Sequence, residues 1–98
     1  MPIEIKWSKL ALKKFDEAIK RIELDSPVSA EKIRRRILLA INGLLQHPEK
    51  FNPDKYKTGN DGSYRAFELY HYRISYRYKK ETIRIIRVRH TRMNPLEY

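Results

Sequence analysis

The sequence predicts an α+β fold of two layers in the order β-α-α-β-β-β, with a helical hairpin packed on a mainly antiparallel four-stranded sheet. Three observations predict it. Apolar residues recur every three or four positions in two adjacent segments between residues 8 and 46. Apolar and polar residues alternate in a short segment before them, and again in three segments from residue 64 to residue 90. The 98 residues suffice for a single domain, 1–98, in which residues 91–98 form a C-terminal tail.

Short local signals predict the first strand and the first helix. Ile3, Ile5 and Trp7 alternate with charged residues, which is typical of a strand. Ser8 stands where a helix cap is expected, before an amphipathic helix of roughly four turns that ends at Asp25-Ser26-Pro27. The apolar stripe of this helix is predicted to contain Leu12, Phe15, Ile19 and Ile22, with Ala11 and Ala18 beside it.

The second helix is expected from about Pro27 to Gln46. Ser26 can cap it, and Pro27 suits its first turn because no N–H is needed there. His47-Pro48 stops the helix, and the short break before it predicts an antiparallel helical hairpin. Residues 47–63 show no periodicity and form a long loop, and loops of this length are often functional.

The last three elements are predicted to be strands at Tyr64–Leu69, Tyr72–Lys79 and Thr82–His90. In the final strand, Ile83 and Ile85 fall on one face, whereas Ile86 and Val88 fall on the other. A regular half-buried strand cannot have this pattern, so either a bulge lies near Ile85 or both faces are partly covered there. The sheet face without helices is expected to be a shallow, Arg-rich concavity.

The composition limits the possible functions. The formal net charge is +10, and from Tyr72 onward eight Lys or Arg stand against two Glu. Such a surface suits a polyanion or an acidic protein partner. The absence of cysteine excludes disulfides and thiolate zinc sites and predicts a cytoplasmic protein. No apolar run approaches the roughly 20 residues that span a bilayer, so no membrane partner is expected.

Three segments in order carry a family resemblance: Tyr64-Arg65, Tyr72-Arg73-Ile74-Ser75-Tyr76, and Arg87-Val88-Arg89-His90-Thr91-Arg92. With the element order, size and charge, they resemble the RelE/ParE superfamily, the toxins of bacterial type II toxin–antitoxin pairs. Many members place Gly-Asp or Gly-Asn before the second Tyr-Arg, where a tight turn favours positive φ. This chain has Tyr70-His71 instead, which predicts a longer or mildly strained hairpin.

The resemblance implies two different activities. RelE-like toxins are endonucleases that cut mRNA at the ribosome, and ParE-like toxins bind and stall DNA gyrase. Both kinds are neutralised by a cognate antitoxin that lies over the toxin. An inactive relative that acts only as a co-repressor with its antitoxin is a third possibility.

Cleavage of RNA through its 2′-OH needs a base, an acid and cations for the developing phosphorane charge. The resemblance implies that residues of the loop, the strands and the tail would supply them. The candidate catalytic residues are His90, Arg65, Arg73, Arg92 and Tyr98, and the candidate RNA-binding residues are Lys55, Lys57, Arg87 and Arg89. Arg92 and Tyr98 are separated by five residues, a spacing that also occurs in ribosome-dependent members.

His90 is the candidate for proton transfer, because its ordinary pKa is near neutrality and neighbouring arginines favour the neutral imidazole. The alternative is a histidine that ends a strand and hydrogen-bonds locally. Arg65 and Arg73 could clamp a phosphate, or they could form a solvated face or a docking site for the antitoxin. His47, His71 and His90 lack metal-ligand spacing, so neither a metal nor a cofactor is expected.

The available His90, Tyr98, loop lysines and strand arginines favour a metal-independent mRNA endonuclease whose partners are the ribosome, mRNA and an antitoxin. The His-Thr-Arg-Met-Asn-Pro ending and the lack of a carboxylate base in the sheet favour the gyrase-inhibitor alternative. The sequence therefore predicts a toxin and leaves both activities open, with a preference for the nuclease.

Overall fold

The computed structural model describes residues 2–94 and 96–98; Pro95 of the sequence motif lies outside the described residues. The chain contains six elements in the predicted order: β1 (Glu4–Trp7), α1 (Lys9–Asp25), α2 (Pro27–Gly43), β2 (Tyr64–Leu69), β3 (Tyr72–Lys79) and β4 (Thr82–His90). The bounds of the last three strands agree with the prediction. The second helix was predicted too long, because residues 44–46 form turns instead of a further helical turn.

The four strands form one sheet in the order β1-β4-β3-β2. β1 is parallel to β4, and the other two pairs are antiparallel. The helices α1 and α2 pack on each other, and α1 packs on β4. The structure therefore confirms the α+β fold, with a helical hairpin on one face of a mainly antiparallel sheet.

Serine side chains begin both helices. The Ser8 Oγ accepts a hydrogen bond from the Ala11 amide at 3.0 Å, and the Ser26 Oγ accepts one from the Ser29 amide at 3.1 Å. Each cap satisfies an amide that has no partner within its helix, which stabilises the helix by about 1 kcal/mol. Both predicted caps are confirmed.

The apolar stripe of α1 differs slightly from the predicted one. Ala11, Phe15 and Ile19 are buried, whereas Leu12 is 47% exposed. The buried positions of α2 are Ala30, Ile37 and Ile41. Small alanine side chains at the contact let the two helices and the sheet approach closely.

A β-bulge lies in β4, at the place where the apolar pattern changed face. Tyr76 faces Ile85 across the strands, but Ser75 faces Arg87, so Ile86 has no opposite residue. The extra residue reverses the facing of the rest of the strand, and Val88 joins Ile83 and Ile85 in the core. The bulge alternative of the sequence prediction is confirmed.

The turn between β2 and β3 contains only Tyr70 and His71, with φ angles of 52° and 67°. Two-residue hairpin turns of this kind favour glycine and asparagine, because side chains crowd the backbone at positive φ. The hairpin is therefore not lengthened and contains two residues in a disfavoured backbone region.

Candidate functional site

The side of the sheet away from the helices, here called the open face, is rich in arginine. Residues directly opposite each other on paired strands share a face. The register pairs Glu68 with Arg73, Arg73 with Arg89, and Ser75 with Arg87. On β2, β3 and β4 the open face comprises the side chains of Tyr64, Ala66, Glu68, Arg73, Ser75, Arg77, Lys79, Thr82, Arg84, Arg87 and Arg89.

The loop after α2 and the C-terminal tail cross part of this face. The loop adds to the free edge of β2, where the Asp54 amide donates to the Tyr64 carbonyl at 2.8 Å. The tail then pairs with the loop: the Tyr98 amide donates to the Tyr56 carbonyl at 3.0 Å, and the Thr58 amide donates to the Tyr98 carbonyl at 2.7 Å. The expected concavity is therefore partly covered.

Asp54 is the centre of the contacts between the loop, the tail and the sheet. It is 2% exposed and accepts hydrogen bonds from Tyr98 Oη at 2.6 Å, Arg73 Nη2 at 2.8 Å and the Tyr56 amide at 3.1 Å. Burial alone would raise the pKa of Asp54, but these three donors, together with the Ser75 side chain, lower it to about 2. The carboxylate is therefore ionised at any physiological pH.

The partners of Asp54 are themselves held in place. Arg73 also donates to Glu68 at 3.0 Å, and its guanidinium lies 4.8 Å from the centre of the Tyr56 ring. Burial and the hydrogen bond to Asp54 raise the pKa of Tyr98. The Tyr98 hydroxyl is therefore a weaker proton donor than an ordinary tyrosine.

Three further cations bind the tail through its carbonyl groups. Arg87 Nη1 donates to the Leu96 carbonyl at 2.8 Å, and Arg89 Nη2 donates to the Asn94 carbonyl at 3.2 Å. The Arg87 guanidinium also lies 4.3 Å from the Tyr98 ring centre. Lys57 Nζ donates to the Tyr98 carbonyl at 3.3 Å, whereas the exposed Lys55 contacts the Tyr56 ring at 5.3 Å.

Arg65 is not part of this group. Its opposite residue is Tyr76, so Arg65 lies on the helix side of the sheet, and Arg73 lies on the open face. Its Nη1 donates to the Phe51 carbonyl at 2.6 Å. A phosphate clamp made by Arg65 and Arg73 together would need both side chains on one face, and here they project from opposite faces.

His90 also lies toward the helix side, opposite Tyr72 and 5.0 Å from its ring. Its Nδ1 accepts a hydrogen bond from the Arg92 amide at 3.0 Å, as in the local-hydrogen-bond alternative. Burial lowers the pKa of His90, and the positive charge of Arg92 lowers it further. The lowered pKa agrees with the prediction, but of the neighbouring Arg87, Arg89 and Arg92 only Arg92 contributes to it.

The structure thus brings together Lys57, Arg73, Arg87, Arg89 and Tyr98 and separates Arg65 from them. His90, at the end of β4, lines one cavity with Arg73, Arg87 and Arg89, but its Nδ1 is bonded to the Arg92 amide. Arg92 is exposed. Sequence reasoning missed Asp54. Its local pattern, an aspartate after a proline in a loop, is common in turns and carries no sign of burial.

Neither described helix is long and apolar enough to cross a membrane. Within residues 2–94 and 96–98, no three His, Asp or Glu side chains are grouped so that they could hold a metal ion.

A helical hairpin on a mixed sheet, with a basic face crossed by loop and tail, defines the protein class as a RelE/ParE-superfamily toxin. The family described as "ParE toxin of type II toxin-antitoxin system, parDE" matches residues 5–95, so the chain belongs to the ParE toxin family. The fold is similar to a chain of the chromosomal ParDE toxin–antitoxin system from P. aeruginosa. That similarity has a TM-score of 0.68 at 20% identity, over 90% of this chain and 95% of the other. No curated protein matches the sequence.

Proposed function

We propose that the protein arrests growth by binding and inhibiting DNA gyrase, as the gyrase-inhibitor alternative implies, and that a cognate antitoxin neutralises it. Membership of the ParE family favours this activity over RNA cleavage. The observation that carries the proposal is the separation of the candidate nuclease residues. Arg65 lies on the helix side of the sheet, and Arg73 and Tyr98 meet on the open face. His90 ends β4 opposite Tyr72, and its Nδ1 is bonded to the Arg92 amide and not to any of them.

Cleavage through the 2′-OH needs a base and an acid within reach of one phosphate. The Nδ1 of His90 is engaged by the Arg92 amide, and the hydroxyl of Tyr98 by Asp54. The raised pKa of Tyr98 makes proton release less favourable. A toxin that acts by binding needs no such pair, because a basic surface is sufficient for docking.

The direct test measures supercoiling by purified gyrase with increasing amounts of the toxin, in parallel with cleavage of mRNA on ribosomes. We expect supercoiling to fall and the messages to remain intact. The His90→Ala variant should inhibit as well as the wild type, because a toxin that acts by docking needs no group for proton transfer. Unchanged supercoiling at excess toxin, with cuts inside codons, would replace the proposal with the endonuclease.

The endonuclease is the second candidate, because Lys57, Arg73, Arg87 and Tyr98 do meet on the open face. For this candidate, Tyr98→Phe should abolish cleavage while binding to the antitoxin survives. Expression of the toxin without its antitoxin also distinguishes the third alternative, an inactive co-repressor, from the two active toxins. A co-repressor would cause no growth arrest, whereas gyrase inhibition stops DNA synthesis before translation.

A groove between α1 and β4 is the proposed site of the antitoxin. β1 pairs only with residues Thr82–Ile85 of β4, so within the described chain residues 86–90 have no strand neighbour on that side. The groove has a volume of about 200 Å³ and is lined on its apolar part by Ala18, the 61% exposed Leu10 and the 54% exposed Met93. A strand edge beside apolar side chains can accept an added strand.

Charge indicates the chemistry of the segment that binds there. Lys14, Arg21 and Arg89 line the groove, and Glu17 is the single acidic residue of its lining. We infer that an acidic segment with apolar side chains, supplied by the antitoxin, lies in it. Ala18→Glu should weaken antitoxin binding at least tenfold, and Leu39→Glu, the same charge change on the exposed side of α2, should change it less than twofold. Equal losses in a binding titration would contradict this location.

A further inference from the structure

A small cavity opens on the sheet among three arginines. Its volume is about 50 Å³, room for a few waters or one small polyatomic ion. The strands line it with Arg73, Arg87, Arg89, Glu68 and His90, the loop with Tyr56, and the tail with Leu96. Because Arg73 faces Arg89 and its neighbour Ser75 faces Arg87, the three guanidinium groups originate from adjacent positions of one face.

The charges around this cavity are unbalanced. Arg73 is paired with Asp54 and Glu68, but within the described chain neither Arg87 nor Arg89 has a carboxylate within ion-pair distance. Their observed hydrogen-bond acceptors are tail carbonyls. Burial lowers the pKa of Arg87, and the positive charge of Arg89 lowers it further, so the arrangement disfavours the charged form that arginine retains.

Arg73 also contributes a donor that the protein does not use. Its Nε is buried and has no hydrogen-bond partner among the described residues, although both terminal nitrogens are paired. Leaving a buried donor unpaired costs about 1–3 kcal/mol, and more when the group is charged. An acceptor in the adjoining cavity would remove this cost.

We propose that the cavity is a binding site for an oxyanion of the size of one phosphate group, held by Arg73, Arg87 and Arg89, and that the tail residues Asn94 and 96–98 act as a displaceable cover over it. Guanidinium groups bind phosphate oxygens through charge-assisted hydrogen bonds, roughly twice as strong as those to a neutral carbonyl. A phosphate therefore exchanges favourably with the Asn94 and Leu96 carbonyls on Arg89 and Arg87.

The Tyr98–Asp54 hydrogen bond holds this cover closed, because it fastens the end of the tail to the loop. An entering oxyanion must compete with that fastening, so loosening it should strengthen anion binding. The site does not depend on whether the toxin acts on gyrase or on RNA, since it requires only the three arginines and the tail.

The test uses the purified full chain and measures binding of inorganic phosphate by calorimetry, with chloride at equal ionic strength as the reference. Hydrogen exchange of the Thr58 amide, which is bonded to the Tyr98 carbonyl, reports on the cover. We expect saturable binding with phosphate but not chloride, and faster exchange at Thr58 when phosphate is bound. Unchanged Thr58 exchange at saturating phosphate would overturn the displaceable cover.

Matched variants locate the site. Arg89→Gln and, independently, Arg87→Gln should weaken phosphate binding at least tenfold, whereas Arg84→Gln, on the same face but outside the cavity lining, should change it less than twofold. Tyr98→Phe should tighten binding severalfold. Equal effects of Arg84→Gln and Arg89→Gln in folded variants would overturn the site, since only general surface charge would then be involved.

A second ligand identifies the source of the phosphate group. A dinucleoside monophosphate carries one phosphodiester. If the protein binds it more tightly than inorganic phosphate, the site is assigned to a nucleic-acid backbone. The reverse preference would assign it to a free phosphate or a monoester. Either result supports the oxyanion site if Arg89→Gln weakens binding of the preferred ligand. If neither ligand binds, the site is refuted.

Discussion

The two faces of the sheet are stabilised by different interactions. On the helix side, Ile74, Tyr76, Ile83 and Ile85 are completely buried in a continuous apolar core. On the open face, the buried charged group is the carboxylate of Asp54, which accepts directional hydrogen bonds from the loop, the tail and β3. Apolar burial is independent of pH and does not require one particular geometry, whereas a charged network requires both ionisation and alignment.

This difference bears on function. An apolar core that excludes water gives a rigid support. In a polar network, by contrast, an arginine can give up its hydrogen bond to a carbonyl and form one with a ligand oxygen instead. The proposed anion site and its cover lie on the open face for this reason. The following substitutions test the comparison.

The largest effect should come from the helix side. Ile85→Ala removes a completely buried side chain and leaves a cavity, so we expect the free energy of unfolding to fall by about 2–5 kcal/mol. Urea unfolding measures the change. Leu24→Ala, at a position that is 87% exposed, is the control and should change stability by less than about 0.5 kcal/mol. Similar losses in both variants would contradict the assigned core.

The next effect concerns the charge on the open face. The pKa of Asp54 is lowered from 3.8 to about 2 in the folded chain. A lowered pKa means that its contribution to stability is complete above about pH 4 and is lost as the pH falls toward 2. The shift corresponds to about 2 kcal/mol.

Asp54→Asn should therefore lower stability by about 2 kcal/mol at pH 7 and reduce the loss of stability between pH 5 and pH 2. Unfolding curves at several pH values measure both effects. Asp16→Asn, on the exposed side of α1, should leave the acid dependence unchanged. If the two variants show the same dependence on pH, the Asp54 network does not control acid stability.

Two tyrosines allow a matched comparison between the faces. Tyr98 donates to the Asp54 carboxylate at 2.6 Å, and Tyr76 donates to the Pro48 carbonyl at 2.8 Å. Tyr98→Phe should cost about 1.5 kcal/mol at pH 7, and Tyr76→Phe about 1 kcal/mol, because bonds to charged groups are stronger. Only the loss in Tyr98→Phe should diminish at pH 2, where Asp54 becomes protonated. A pH-independent loss at Tyr98 would contradict the network.

The smallest effect should be that of Glu68→Gln. Glu68 is the outer partner of Arg73, and its side chain is 54% exposed, so solvent screens the pair. We expect a loss of less than about 1 kcal/mol, measured by urea unfolding at low salt. A loss as large as that of Asp54→Asn would mean that the exposed and buried carboxylates hold Arg73 equally.

Much of the helix side could be predicted from sequence because its signals are local. The periodicity of α1 and α2, the serine caps and the change of face at Ile86 all appear within a few residues of each other. One feature of the helix side that the sequence did not predict is that the Arg65 side chain lies there. Register across a hairpin depends on turn length, and the Tyr70-His71 turn could not be assigned a length from its residues.

The open face was less predictable because its contacts join residues that are far apart in the sequence. Asp54 is 19 residues from Arg73 and 44 residues from Tyr98. The sequence identified the cations and Tyr98 as candidates, but it did not indicate that a loop carboxylate would hold two of them together.

The sequence by itself determined the element order, the helix caps, the change of face in the last strand and the basic charge, because each depends on neighbouring residues or on composition. Only the tertiary structure decided which candidate residues meet. The two-residue turn sets the register that separates Arg65 from Arg73, and the return of the tail brings Tyr98 onto Asp54. Such contacts depend on how distant segments pack in three dimensions, which no local pattern encodes.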